Sequence, residues 1–440
     1  VSEHKSDISG WLVRRATWHL WVVLGAVLAA LVVRTARVTS DGGMDNAIVV
    51  RAARVWLAGG SPYDDSHFLY LPSAVLAAVP QVLIPRDVLG VLVPVGVVGC
   101  LAGGWGCALR LHGVALRSRF AALGLIGLAV GFAPFAHLVL LGNWTATAVL
   151  ALPLGLLLAG RGRWVSAGAV FGAAVALKPL LAPMALLFVF AGRWRGLGVM
   201  VVVPVAASAG AAALLPDPAG FFTRTLPFLL RGDDGFVRLY EASPVAVLPR
   251  VGVPWVVAAG VASVAAGVGV GCAYRRWRGG GVDSLRLVET GAMLMLSAFL
   301  VSRPSYDHYL LVVVPVVLAG VPCERAVGRG VWFWVAMVPQ VPGVSWPYLE
   351  AVQRRAFRDA ATLCGLAVAV AVHCVRSGRV VAPPPPLPFP SSRGAAPSTP
   401  PGAPPPDPRA FRPPADPARS ARSLESGEAS GPSGVGGVGD

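Results

Sequence analysis

Apolar runs long enough to cross a bilayer recur along most of this chain, and that pattern leaves few architectures open. The first covers residues 18–38, and others follow at short intervals as far as residue 375. Backbone amides in hydrocarbon must be satisfied within their own segment, so runs of this length fold as helices. The strict alternation of outer-membrane strands is not seen. Charged residues make up 13% of the chain, against about 25% in a soluble domain. The expectation is an all-α polytopic membrane protein with roughly eleven to thirteen membrane helices.

Arginine sets the expected orientation. The short connections 110–119, 161–163, 193–195, 275–278 and 325–329 each hold at least two arginines, which places them in the cytoplasm. Residues 1–17 are polar and basic and are expected on the same side. No small-residue cleavage site follows the first run, so it is expected to stay as an anchor. The net charge of +15 is carried largely by these connections and by the tail, where it orients helices and meets anionic lipid. No nucleic-acid partner is expected. The six cysteines show neither a CxxC pair nor a metal spacing and read as small core residues. Past residue 381 the composition turns to Pro, Gly and Ser. The expected organisation is therefore a cytoplasmic N-terminus (1–17), a membrane domain (18–381) and a disordered cytoplasmic tail (382–440).

The polar residues gather on the other side. Residues 40–86 form the first outer loop, with Asp41 and Asp45 close behind the first span. A helix is expected from about Asp45 to Ala58, ended by Gly59-Gly60, then a turn at Ser61-Pro62. The apolar piece 70–84 is too short to cross. Asp45 either acts as a general base on a hydroxyl or caps the first helical turn, and Asp41 competes for the first role. Gly142-Asn143-Trp144 forms another outer turn. Lys178, one of two lysines in the chain, ends an apolar helix before Pro179; it either holds a phosphate or snorkels to the interface. In the loop SRPSYDHY, Arg303 suits bidentate contact with phosphate, and His308 suits hydrogen bonding or proton transfer. Arg224, Arg231 and Arg238 are spaced by seven in the second outer loop, 216–250, a weaker candidate for an anionic headgroup.

In order along the chain, these segments resemble glycosyltransferase family 87, a GT-C-type family that includes actinobacterial mannosyltransferases using polyprenyl-phosphate mannose. The resemblance rests on Asp45, Ala52, Gly59-Gly60-Ser61-Pro62-Tyr63, Phe68-Leu69-Tyr70-Leu71-Pro72, LLGNW around Asn143, GAAVALKPLLAP around Lys178, and SRPSYDHY. It favours Asp45 over Asp41 as catalytic base. It adds Tyr63, Tyr70 and Asn143 to Lys178, Arg303 and His308 as substrate-binding residues. It implies a GT-C-type bundle that moves a hexose, mannose in those relatives, from a polyprenyl-phosphate donor to a glycolipid or glycan acceptor. Transfer would occur at the extracytoplasmic face of the plasma membrane, with inversion and without metal or cofactor. This chain departs from the family pattern at Leu71, Asn143, Glu241 and Tyr309, where donor or acceptor would be felt. The competing reading, a transporter or flippase of lipid-linked sugars, calls for ionisable groups at mid-membrane and internal repeats. The charges here lie mainly at the ends of apolar runs.

Overall fold

The computed structural model describes residues 10–39, 41–231, 239–343 and 351–377. Among these the regular structure is helical, with one isolated bridge between Arg15 and Ser118. Six helices are long and apolar enough to cross a bilayer: Trp18–Val38, Arg86–Leu111, Trp194–Ala212, Trp255–Arg278, Asp283–Val301 and Arg354–Ser377. The chain is a multi-pass membrane protein. The tail, 382–440, and residues 1–9 lie outside the described residues.

The expected eleven to thirteen spans do not all appear as long helices. Besides the six there is one pair, Arg119–Gly131 and Ala133–Leu141, that would count as a seventh span but is bent by 74°. By length and apolarity the run 120–141 reads as a single span, and the bend divides it. Phe132 takes an extended conformation between the two pieces, and Pro134 is the second residue of the second. Its ring removes a backbone donor and clashes with a continuing helix. The other apolar runs form shorter helices, including Pro72–Val82, Thr145–Gly160, Trp164–Leu177 and Asp307–Leu318.

Asp283–Val301 runs through the middle of the bundle, with 78% of its apolar window buried. The peripheral helices keep apolar side chains on their outer faces, among them Trp18, Val22, Val256, Val264 and Trp332. Facing water these would be costly; facing acyl chains they are not. Inside, small residues let backbones approach. A side chain at Gly168 would overlap the Gly196 carbonyl, so Trp164–Leu177 and Trp194–Ala212 pack backbone against backbone.

Two turns decide where the polar residues meet. Ala133–Leu141 ends in Gly142, which is left-handed at φ 61° and whose N–H bonds back to Val139. Met44–Leu57 begins at Gly43, with φ 116°. A Cβ on Gly142 would strike the Gly42 carbonyl, and one on Gly43 would strike the Leu141 carbonyl. The turns therefore touch through bare backbone, bringing the first helical turn after Gly43 beside Asn143. Ser73 fixes the third partner. Its hydroxyl donates to the Ala176 carbonyl at 2.5 Å and lies 3.0 Å from Ser208 Oγ, tying Pro72–Val82 to the end of the helix that precedes Lys178.

Gly142→Ala combines a disfavoured φ with a steric overlap. It is expected to destabilise the protein by about 1–3 kcal/mol, read as a lowered unfolding midpoint in detergent. An unchanged midpoint would show that the two turns do not touch.

Candidate active site

Asp45 lies in the first turn of Met44–Leu57, where helix N-termini favour an acid. Lys178 is placed by its neighbour. The residue before a proline is pushed out of the helical region, and Lys178, at φ −152° and ψ 122°, ends Trp164–Leu177 ahead of Pro179. Asn143 follows the Gly142 turn.

These three residues form one connected unit. Asn143 Nδ2 donates to Asp45 Oδ2 at 2.5 Å. Asn143 Oδ1 accepts from Lys178 Nζ at 2.9 Å and from the Thr145 backbone N–H at 2.7 Å. Lys178 Nζ also donates to Thr145 Oγ1 at 2.9 Å. Above the ammonium stand two aromatic faces, Tyr309 at 4.9 Å and Tyr70 at 5.7 Å. Burial pushes the Lys178 amine down to about 8, and the Asp45 carboxylate opposes that shift only in part.

The loop 302–309 closes the site from another side. His308 is buried, and the charges of both Lys178 and Asp45 act on it. Tyr306 stacks on its ring at 5.4 Å. Burial, followed by the neighbouring charge of Asp45 and the hydroxyl of Tyr306, holds the Tyr70 phenol well above its usual range. Asp45, Asn143, Lys178, Tyr70 and His308, all singled out in the sequence, therefore share one end of the bundle.

Tyr63 and Arg303 stand apart from this group. The Tyr63 hydroxyl donates to the Tyr70 carbonyl at 3.4 Å, and its ring packs on Phe68 at 5.5 Å, so it supports Tyr70 from behind. Burial, with Asp217 second, raises its phenol. Arg303 is engaged by the buried Glu241 carboxylate, Nε to Oε1 at 3.0 Å and Nη2 to Oε2 at 3.4 Å. Asp41 is held by Arg86 at 3.4 Å and Arg54 at 3.7 Å, which leaves Asp45 as the acid facing the lysine. Arg224 pairs with Asp64 and Asp217. The Arg231 side chain and Arg238 lie outside the described residues. Among the described residues no group of three His, Cys, Asp or Glu side chains is placed to hold a metal ion.

Sequence reasoning missed Thr145, His137 and Arg355. Thr145 had a local signal, two residues after Asn143. His137 stands alone in an apolar run, and Arg355 has no local motif around it. Both meet Asp307, which is far from either in sequence.

A sequence profile of glycosyltransferase family 87 matches residues 68–302. That stretch includes Tyr70, Asn143 and Lys178; Asp45, Tyr63, Arg303 and His308 lie beyond it. Two curated relatives, both named alpha-(1->3)-arabinofuranosyltransferase, come from Mycobacterium tuberculosis strains CDC 1551 / Oshkosh and ATCC 25618 / H37Rv. Each is 30% identical over 233 residues, covering 51% of this chain and 53% of the relative. The match thus spans about half the length of these relatives. No solved structure matches the chain.

Asn143→Ala would leave the half-buried ammonium and carboxylate each short of a partner. It is expected to cost about 1–3 kcal/mol of stability. Adding Lys178→Met should recover part of that loss, because the under-solvated charge is then gone. Strict additivity of the two changes in thermal unfolding would contradict the coupling.

Proposed function

The chain belongs to glycosyltransferase family 87, and on that premise we propose that it transfers a sugar from a polyprenyl-phosphate donor to a hydroxyl of a glycolipid or glycan acceptor. The site faces the extracytoplasmic side, as the arginine-rich connections at the opposite helix ends suggest. Asp45 takes the proton of the acceptor hydroxyl as its oxygen attacks the anomeric carbon. The anomeric carbon–oxygen bond to the phosphate breaks, and the electron pair leaves with the polyprenyl phosphate. A single in-line attack of this kind inverts the anomeric centre. Lys178 and His308 bind the phosphate and stabilise the charge that grows on it. Tyr70 and Tyr309 shield the pair from water, which strengthens each interaction.

One observation carries this reading: Asn143 joins a carboxylate and an ammonium, 98 and 35 residues away in sequence, through opposite ends of one amide. A general base and a phosphate-binding cation are the two charges the transfer needs. Arg303, paired with Glu241, anchors the loop that carries His308 and does not contact the donor directly.

The sugar we assign is a pentofuranose. Both relatives are named for arabinofuranose, and the chain departs from the mannosyl pattern at Asn143 and Tyr309, next to Lys178. The test supplies labelled polyprenyl-phosphate arabinofuranose and polyprenyl-phosphate mannose in parallel. Membranes holding the wild type should consume the former. Asp45→Asn should lower the rate by about 10²–10⁴-fold. Consumption of mannose alone would overturn the sugar, and wild-type rates in Asp45→Asn would overturn the base.

A second outcome follows from the lysine. With burial holding it at about 8, its amine is charged below that value and neutral above. Donor affinity should therefore fall as pH rises through that value. Lys178→Arg stays protonated and should keep its affinity to higher pH. Wild-type affinity that stays flat across this range, measured as KM against pH, would remove Lys178 from the phosphate.

A further inference from the structure

Asp307 carries a carboxylate into the buried flank of the site, with 6% of the residue exposed. A buried anion persists only when it is paired and hydrogen-bonded. Its Oδ2 lies 2.5 Å from His137 Nδ1, on Ala133–Leu141, and 3.1 Å from Arg355 Nη2, on Val352–Ser377. Its Oδ1 accepts the His308 backbone N–H at 2.7 Å and lies 3.4 Å from His308 Nδ1. One oxygen is thus committed to distant elements, and the other to the adjacent histidine.

The opposite edge of that histidine is unpaired. His308 Nε2 is buried and has no hydrogen-bond partner among the described residues. Tyr306 stacks on the ring, and Tyr309 meets it edge-on at 5.1 Å, so the imidazole is held in one orientation. The charged groups facing it are Asp307 from its own loop, Lys178 from the end of Trp164–Leu177 and Asp45 from Met44–Leu57.

The protonation state follows from hydrogen-bond chemistry. A carboxylate beside Nδ1 requires the proton there. With Nδ1 protonated, a neutral ring offers only a lone pair at Nε2. A phosphate oxygen is also an acceptor, so the two would meet lone pair to lone pair. The ring can bond to phosphate only with both nitrogens protonated. We infer that Asp307 is a positioning residue: its ionised carboxylate accepts from the Nδ1–H of His308 and keeps the proton on that nitrogen, so that an entering lipid phosphate is met by an imidazolium. The second proton is taken up from water when the phosphate binds. Arg355 is the counterweight, because it draws on the same carboxylate and is itself positive.

This rests on the reading of Lys178 and His308 as the donor phosphate site, yet its test needs no sugar transfer. The probe is a polyprenyl methyl phosphate, a sugar-free diester that, like the donor, keeps a single charge across the series, bound to the purified full chain in nanodiscs at a range of pH. Wild-type affinity should fall with rising pH along two limbs, one near 8 that belongs to Lys178 and a second that His308→Gln abolishes and Lys178→Arg leaves in place. Asp307→Asn should move that limb down by about one unit or more. Affinity at neutral pH would then drop about tenfold, while affinity at low pH stays near wild type. Asp307→Glu, which keeps the charge, should restore the limb. Arg355→Gln should move it up, and this variant decides the matter if Asp307→Asn does not fold. Equal losses at every pH in the Asp307 and Arg355 variants, or no wild-type limb that His308→Gln removes, would overturn the assignment. If the limb moves as stated but no sugar is transferred, the positioning role stands and the transfer reading falls. If transfer occurs but the limb stays put, only the positioning role falls.

Discussion

The arrangement depends on one amide. A carboxylate and an ammonium brought together at low dielectric attract each other strongly, and left alone Asp45 and Lys178 would pair directly. A direct pair would occupy both. Asn143 sits between them, donating to the acid at 2.5 Å and accepting from the amine at 2.9 Å. Each charge gives or takes one bond at the amide, so neither is consumed by the other. On the proposed reading, the acid remains able to take a proton and the amine remains able to hold a phosphate.

The bundle is built so that this bridge can form. Gly42, Gly43 and Gly142 let two turns meet without side chains between them. Pro179 halts the helix before Lys178, which leaves the lysine extended at the helix end. The Ser73 hydroxyl then fixes that end to Pro72–Val82, which starts two residues after Tyr70. Each device is local and cheap, yet together they converge four segments that lie far apart in the chain. The lipid-facing helices need no such care. They present valine and tryptophan outward, and their packing relies on small residues.

Much of this was legible in the sequence, and the reasons differ from residue to residue. The loop helix beginning beside Asp45 could be read because Gly59-Gly60 marks its end, and it runs Met44–Leu57. Lys178-Pro179 could be read because proline dictates the conformation of the residue before it. The break at Phe132 is not legible: the run 120–141 has the length and apolarity of one span, and these outweigh Pro134. The partner of Arg303 was not legible either, since Glu241 lies 62 residues away and belongs to another loop. The same holds for Asp307, whose partners come from a bent helix pair and from the last helix. Apolar length predicts helices well, but it does not say which polar side chains meet at their ends.

The most direct test of the central claim is a structure of the full chain in a lipid nanodisc with a polyprenyl phosphate bound. The account predicts the phosphate within hydrogen-bonding reach of Lys178 Nζ and His308 Nε2, with the Asp45 carboxylate facing the vacant sugar position across Asn143. A phosphate bound at the other end of the bundle, or held by residues that do not include Lys178, would contradict it.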